Sequence, residues 1–195
     1  MLADAALLER DLLEARARAL RVTADIEGDR LLGPKLKIVN PPLWEIGHVS
    51  WFQEHWCLRW RKDGKLGDSI LRGADDLYDS SAVAHDTRWG LPLPDLAATR
   101  AYGEEVLARV RARIAREPEN PELRYFVRLA TFHEDMHTEA AHYTRQTLGY
   151  SEPVLDFQPK ENSKGDIDIS GGRFMLGAKP SDGFVFDNEK WAHEV

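Results

Sequence analysis

The sequence is poor in cysteine, in basic charge and in long apolar runs. Its one cysteine, Cys57, excludes an intrachain disulfide. Acidic residues interrupt the first residues of the chain, which do not look like a signal peptide, so a reduced, cytoplasmic setting is expected. The net charge of −7 argues against nucleic acid and anionic membranes as partners. No stretch approaches the roughly 20 apolar residues of a membrane span.

Four segments have the apolar periodicity of helices. They are residues 2–26, 41–60, 95–116 and 121–148. Asn40 and Asp95 are the expected N-caps of the second and third helices, and Gly149 is expected to end the fourth. Arginines such as Arg16 are expected on solvated faces. Four helices with mostly short connections predict a mainly α fold with a four-helix bundle in residues 1–150.

Two segments depart from this pattern. Residues 61–94 form a long connection, which in a compact domain is usually functional or disordered, and its aromatic and charged residues favour a function. Residues 151–195 are rich in glycine and in short alternating stretches, which predicts the beginning of a β-containing domain. Because about 40 residues rarely form an independent core, we expect the chain to be the N-terminal part of a longer protein.

Three histidines are placed to share one metal ion. His133 and His137 are four residues apart and therefore on one face of the fourth helix. His48 lies on the apolar second helix beside Gly47, which permits close approach of a neighbouring element. Three imidazoles leave coordination positions open, and they suit zinc, copper, iron and nickel alike. The alternative, in which each histidine is a core residue with a satisfied hydrogen bond, stays open.

The fourth helix also contains a literal H-E-x-x-H motif, in which Glu134 would be the general base of a zinc protease. The glycine and third histidine of the extended metzincin motif do not follow it. Nothing before residue 150 predicts a strand edge that could hold a peptide. We therefore disfavour a protease, and expect Glu134 and Asp135 on the helix flank or orienting a ligand histidine.

Substrate residues are expected in the long connection. The guanidinium of Arg88 could fix a carboxylate, and the indole of Trp89 could hold a quaternary ammonium group by cation–π attraction. The other tryptophans considered have helical spacings and are expected in the core: Trp44, Trp51, Trp56 and Trp60.

Three motifs in the same order resemble the ergothioneine sulfoxide synthases (EgtB). These are residues 40–49 (NPPLWEIGHV), residues 133–137 (HEDMH), and residues 170–177 (SGGRFMLG) followed by residues 186–189 (FDNE). The last resembles the opening of a domain related to the formylglycine-generating enzymes. The resemblance covers nearly the whole chain.

The resemblance implies a DinB-like four-helix bundle in residues 1–150. It implies a linker and the start of a truncated α+β domain, like that of the formylglycine-generating enzymes, in residues 151–195. It also implies an iron(II) ion held by His48, His133 and His137, with O2 as co-substrate and hercynine as acceptor. A catalytic tyrosine acid is expected beyond residue 195.

Within this family the chain looks closest to the selenoneine synthase branch (SenA), which forms a C–Se bond with a selenosugar donor. Met136 stands where many EgtB sequences have a glutamine that contacts hercynine, and residues 78–89 (YDSSAVAHDTRW) look like SenA. The resemblance implies that Arg88 is the counterpart of an EgtB arginine that binds the donor's carboxylate. The alternative is C–S bond formation with a thiol donor. Alternatives of other classes are a zinc-dependent DinB-like thiol transferase or hydrolase, and a non-catalytic bundle.

Overall fold

A computed structural model describes residues 4–154 and 165–195. In these ranges the α-helices are α1 (Ala5–Val22), α2 (Pro42–Glu54), α3 (Ala74–Tyr78), α4 (Leu96–Arg116) and α5 (Pro121–Leu148). A π-helical turn, His55–Arg59, continues α2. Short 3₁₀ helices lie at Gly28–Leu31, His85–Gly90 and Asp187–Glu189. The expected helix start at residue 2 lies outside the described residues.

The four longer helices pack as a bundle, in which α1 lies against α5 and α2 lies against both α4 and α5. Their apolar stripes meet in one core that includes Leu8, Leu12, Trp44, Trp51, Val106, Val110, Val127 and Ala130. Each large apolar side chain buried in this way contributes about 1.5–3 kcal/mol, which exceeds what local helix propensity supplies. The predicted mainly α fold is confirmed. None of the helices in the described part of the chain has the length and apolar composition needed to cross a membrane.

The helix ends follow the predicted caps with one exception. Asp95 accepts a hydrogen bond from the Ala98 backbone N–H at 2.8 Å, and Gly149 ends α5 with a φ of 65°. The prediction for Asn40 is wrong, because Pro41 holds the cap position of α2 without a side-chain bond. The side chain of Asn40 turns inward instead and joins the network described below.

Arg16 was expected on a solvated helix face, and this prediction is wrong. It is 8% exposed, and its Nε donates to Glu134 Oε1 at 2.6 Å across the α1–α5 interface. Its Nη1 donates to the Gly103 carbonyl at 3.1 Å, which brings α4 into the same contact. Arg18, the next arginine on α1, pairs with Asp135 at 2.7 Å nearer the surface. Glu134 and Asp135 therefore join α5 to α1.

The long connection between α2 and α4 folds back on the bundle. It contains α3 and the 3₁₀ helix His85–Gly90, and the side chain of Tyr78 at the end of α3 is fully buried. Tyr78 lies on Gly47 of α2, where an added Cβ would stand only 2.3 Å from the Tyr78 ring. The predicted close approach at Gly47 is therefore confirmed.

Residues 165–195 lie partly against α5. Their strands β1 (Met175–Leu176) and β2 (His193–Glu194) pair antiparallel. The rings of Phe184 and Phe186 lie 5.3 and 5.7 Å from the ring of Phe132, next to His133 in α5. The predicted start of a domain like that of the formylglycine-generating enzymes stays a prediction, and its residues 155–164 lie outside the described residues.

Candidate metal centre

The three predicted histidines come together between α2 and α5. One nitrogen of each of His48, His133 and His137 lies within 4.8 Å of the others. The Nε2 atoms of His133 and His137 are 3.1 Å apart. Two nitrogens bound to one metal at about 2.0–2.1 Å lie about 2.9 Å apart at a right angle and about 3.4 Å apart at the tetrahedral angle. The spacing therefore suits a single ion.

Two of the histidines have their tautomer set by a neighbour. His48 Nδ1 lies 2.8 Å from the carbonyl oxygen of Tyr78, and His137 Nδ1 contacts the carboxylate of Glu45. Because a carbonyl and a carboxylate only accept, each Nδ1 carries the proton and donates it. Each Nε2 then keeps its lone pair for a metal, in the arrangement that protein metal sites commonly use.

His133 is held differently. Its Nδ1 is buried and has no hydrogen-bond partner among the described residues. Its ring instead stacks on Phe52, with ring centroids 3.7 Å apart and planes 9° apart. The Nε2 of His133 faces the Nε2 of His137, and the latter carries a lone pair. A cation between these two nitrogens would bind both. The donor set therefore fits a metal ion.

Burial keeps the imidazoles of His48 and His133 neutral. Burial and the nearby charge of His137 lower the pKa of His48 to about 4. The same two causes, with repulsion from His48, lower the pKa of His133 to about 2. Burial alone would raise the pKa of Glu45, but the hydrogen bond and charge of His137 lower it overall. At neutral pH His48 and His133 therefore offer lone pairs rather than positive charge, and Glu45 offers a carboxylate.

We predict that the metal-free protein loses stability as pH falls below 6.5. In that range the unfolded chain protonates His48 and His133, whereas the folded chain keeps them neutral until about pH 4 and about pH 2. Because the folded chain then binds up to two fewer protons than the unfolded chain, the free energy of unfolding falls by up to about 2.7 kcal/mol for each pH unit. Urea unfolding between pH 7 and 5.5 measures it. His133→Ala should about halve the slope, and a flat profile in the parent protein would contradict the prediction.

A second prediction concerns Gly47. Alanine normally stabilises a helix relative to glycine by about 1 kcal/mol, but here its Cβ would displace the ring of Tyr78. We expect Gly47→Ala to cost about 1–3 kcal/mol instead, and to weaken metal binding because the Tyr78 carbonyl orients His48. Thermal unfolding and metal titration check this. Gly90→Ala, where an added Cβ meets nothing within 4 Å, is the matched control and should be neutral.

An aromatic layer surrounds His48. Trp44 stacks on it with a centroid distance of 4.6 Å and an interplanar angle of 11°, and Trp51 lies at 5.8 Å. Trp44 and Trp51 are buried, as predicted, whereas Trp56 and Trp60 are only partly buried. The layer fixes the ring of His48 and keeps water from its faces.

The three predicted substrate residues have separate surroundings. Arg88 is buried, and its guanidinium lies on Trp44 at 3.9 Å from the ring centroid. The indole of Trp89 donates to the Leu32 carbonyl at 3.0 Å. Met136 is 50% exposed beside His137 in sequence. Their substrate roles stay predictions.

Glu45 was not predicted from the sequence, and Asn40 was predicted wrongly as a helix cap. A signal for Glu45 existed, because it is one of two acidic residues in a largely apolar helix. Such a charge is rarely buried without a partner. Asn40 carried no comparable signal, since its position before two prolines is typical of a helix cap.

Known proteins match this chain over most of its length. The DinB superfamily matches residues 11–141. The hercynine oxygenase of Mycolicibacterium smegmatis is 30% identical over 96% of this chain and 45% of its own length. That of Mycolicibacterium thermoresistibile is 28% identical over 96% of this chain and 43% of its own length.

A third hercynine oxygenase, from Mycobacterium tuberculosis, is 29% identical over 66% of this chain and 29% of its own length. The chain thus spans less than half the length of these relatives. The bundle, the three converging histidines and the match over residues 11–141 lead to one conclusion: the chain belongs to the DinB superfamily.

Proposed function

We propose that this chain is the metal-binding part of an O2-dependent non-haem iron(II) enzyme that acts on hercynine. The observation that carries the proposal is the convergence of His48, His133 and His137, with Nε2 free on the two whose tautomers are set. The three relatives named hercynine oxygenase support the substrate and the use of O2. The cytoplasm remains the proposed location.

The proposed reaction joins selenium from a selenosugar to the imidazole of hercynine. Its support is Met136 in the HEDMH motif and the sequence of residues 78–89, as given above. Formation of a C–S bond with a thiol donor is the alternative within the family. The relatives' greater length supports a C-terminal domain as the partner that completes the site, including the expected tyrosine acid.

Each residue of the candidate site has a defined task in the proposed reaction. His48, His133 and His137 would hold the iron, which would supply redox chemistry with O2. Glu45 and the Tyr78 carbonyl orient two of the rings. Trp89 and Met136 are the proposed substrate residues, and the predicted contact of Arg88 with the donor's carboxylate is weighed below against its buried surroundings.

The same three nitrogens also suit zinc, so a zinc-dependent thiol transferase or hydrolase is the candidate of another class. A zinc protease fits less well. Both carboxylate oxygens of Glu134 receive hydrogen bonds from Arg16, and the side chain is 1% exposed. A general base must reach a water at the metal, and Glu134 is directed at α1 instead.

The test is anaerobic reconstitution of the full-length protein with iron(II), followed by aerobic incubation with hercynine and either a selenosugar or a thiol. Mass spectrometry identifies the bond formed, and an oxygen electrode measures O2 use. A C–Se product with hercynine-dependent O2 consumption is expected. A C–S product alone supports the alternative donor. Native zinc with O2-independent turnover of a thiol substrate would overturn the proposal.

A further inference from the structure

Arg88 lies at the start of a stacked series of side chains that ends at a ligand histidine. Its guanidinium carbon is 3.9 Å from the ring centroid of Trp44. The Trp44 ring in turn lies almost parallel to the ring of His48, 4.6 Å away. A guanidinium held over the face of an indole is attracted to it and restricts the movement of that ring. The orientation of His48 therefore depends on a residue from the connection between α2 and α4.

The same guanidinium also starts a series of hydrogen bonds. Arg88 Nη1 donates to Asn40 Oδ1 at 2.7 Å, and Asn40 Nδ2 donates to Glu45 Oε1 at 2.5 Å. The other carboxylate oxygen of Glu45 accepts from His137 Nδ1. The amide of Asn40 thus links Arg88 by hydrogen bonds to the carboxylate that orients His137.

We propose that Arg88 is a positioning residue that orients His48 and His137 together, the first through Trp44 and the second through Asn40 and Glu45. The inference rests on the proposed function only in taking these histidines as metal ligands.

Burial favours positioning over direct contact with substrate. Arg88 is 8% exposed, and its Nη2 donates to the Val83 carbonyl at 3.2 Å. Nη1 is engaged by Asn40, and Nε, which has no partner among the described residues, is buried away from solvent. Arginine suits the task, because one rigid plane can stack on a ring and donate at its edge at the same time. A lysine ammonium can replace the donated bond but not the stacking.

The first experiment measures cobalt(II) binding to the full-length protein, by competition with a chelator and by visible absorption. Loss of a residue that orients a metal ligand typically costs 10–100-fold in affinity. We expect that loss for Arg88→Met, with a shifted cobalt spectrum, and a smaller loss for Arg88→Lys. Arg72→Met, which alters an exposed arginine of the same connection, is the matched control and should stay within about twofold. Circular dichroism confirms folding of each variant.

A double-variant comparison tests the route through Glu45. Glu45→Gln alone should weaken cobalt binding, and Arg88→Met should have a smaller effect in that background than in the parent protein. Equal effects in both backgrounds would overturn the hydrogen-bond route. Unchanged cobalt affinity and spectrum in Arg88→Met, with a raised KM for the donor, would overturn the inference and assign Arg88 to substrate binding.

Histidine-ring ¹⁵N NMR of the metal-free protein keeps the inference separate from the proposed function. The parent protein should hold His48 and His137 each in the Nδ1–H tautomer, and Arg88→Met should mix the tautomers. Unchanged tautomers in Arg88→Met would overturn the inference even if no metal binds. Cobalt binding without any reaction of hercynine would remove the proposed function and leave the positioning role standing.

Discussion

Replacing His133 with alanine is expected to abolish stoichiometric metal binding. The change removes one of three converging nitrogens. The two that remain are too few to hold a metal ion through gel filtration. Loss of a residue that only orients a metal ligand typically lowers metal affinity 10–100-fold, so loss of a ligand itself should lower it more than 100-fold. Iron content after gel filtration measures binding, and hercynine-dependent O2 consumption in the full-length protein should fall with it.

His142→Ala is the matched control for this experiment. His142 lies on the same helix but is exposed, so its loss should leave iron content and O2 consumption unchanged. Full iron retention by His133→Ala would contradict the three-histidine site. A parent protein that takes up no metal, and whose stability does not change with a chelator, would instead support the alternative of core histidines.

The convergence of the histidines could be predicted because it depends on helical periodicity. The spacing of His133 and His137 places them on one face whatever the rest of the chain does. His48 was found because it is a polar residue in an apolar helix next to a glycine, and the structure brings it to the other two. What the periodicity could not supply was the identity of the metal, since imidazole suits several.

The partners of these histidines could not be predicted, because they depend on how distant segments pack. Glu45 meets His137 only because α2 crosses α5 at that level. Arg88 reaches Trp44 because the connection folds back under α2, and no local pattern specifies that path. Arg16 had the same helical spacing as exposed arginines, and its partner is 118 residues away.

Replacing Glu134 with alanine should have the largest effect on stability. Glu134 and Arg16 are 1% and 8% exposed, and the bond from Arg16 Nε to Glu134 Oε1 is 2.6 Å long. The variant leaves the guanidinium buried without its carboxylate, and breaking a buried pair in this way costs about 3–5 kcal/mol. Urea unfolding at pH 7 measures the loss. Iron binding by the fraction that remains folded should persist, because Glu134 contacts Arg16 rather than the histidines.

The neighbouring pair supplies the control. Asp135→Ala removes an ion pair with Arg18. The side chain of Asp135 is 35% exposed and that of Arg18 is 41% exposed, and exposed pairs of this kind contribute only about 0–1 kcal/mol. A Glu134→Ala protein as stable as Asp135→Ala would refute a structural role for the buried pair. If it were stable but inactive with iron bound, Glu134 would be the general base that the H-E-x-x-H motif suggests. Stability and iron content together therefore decide between the two interpretations of the motif.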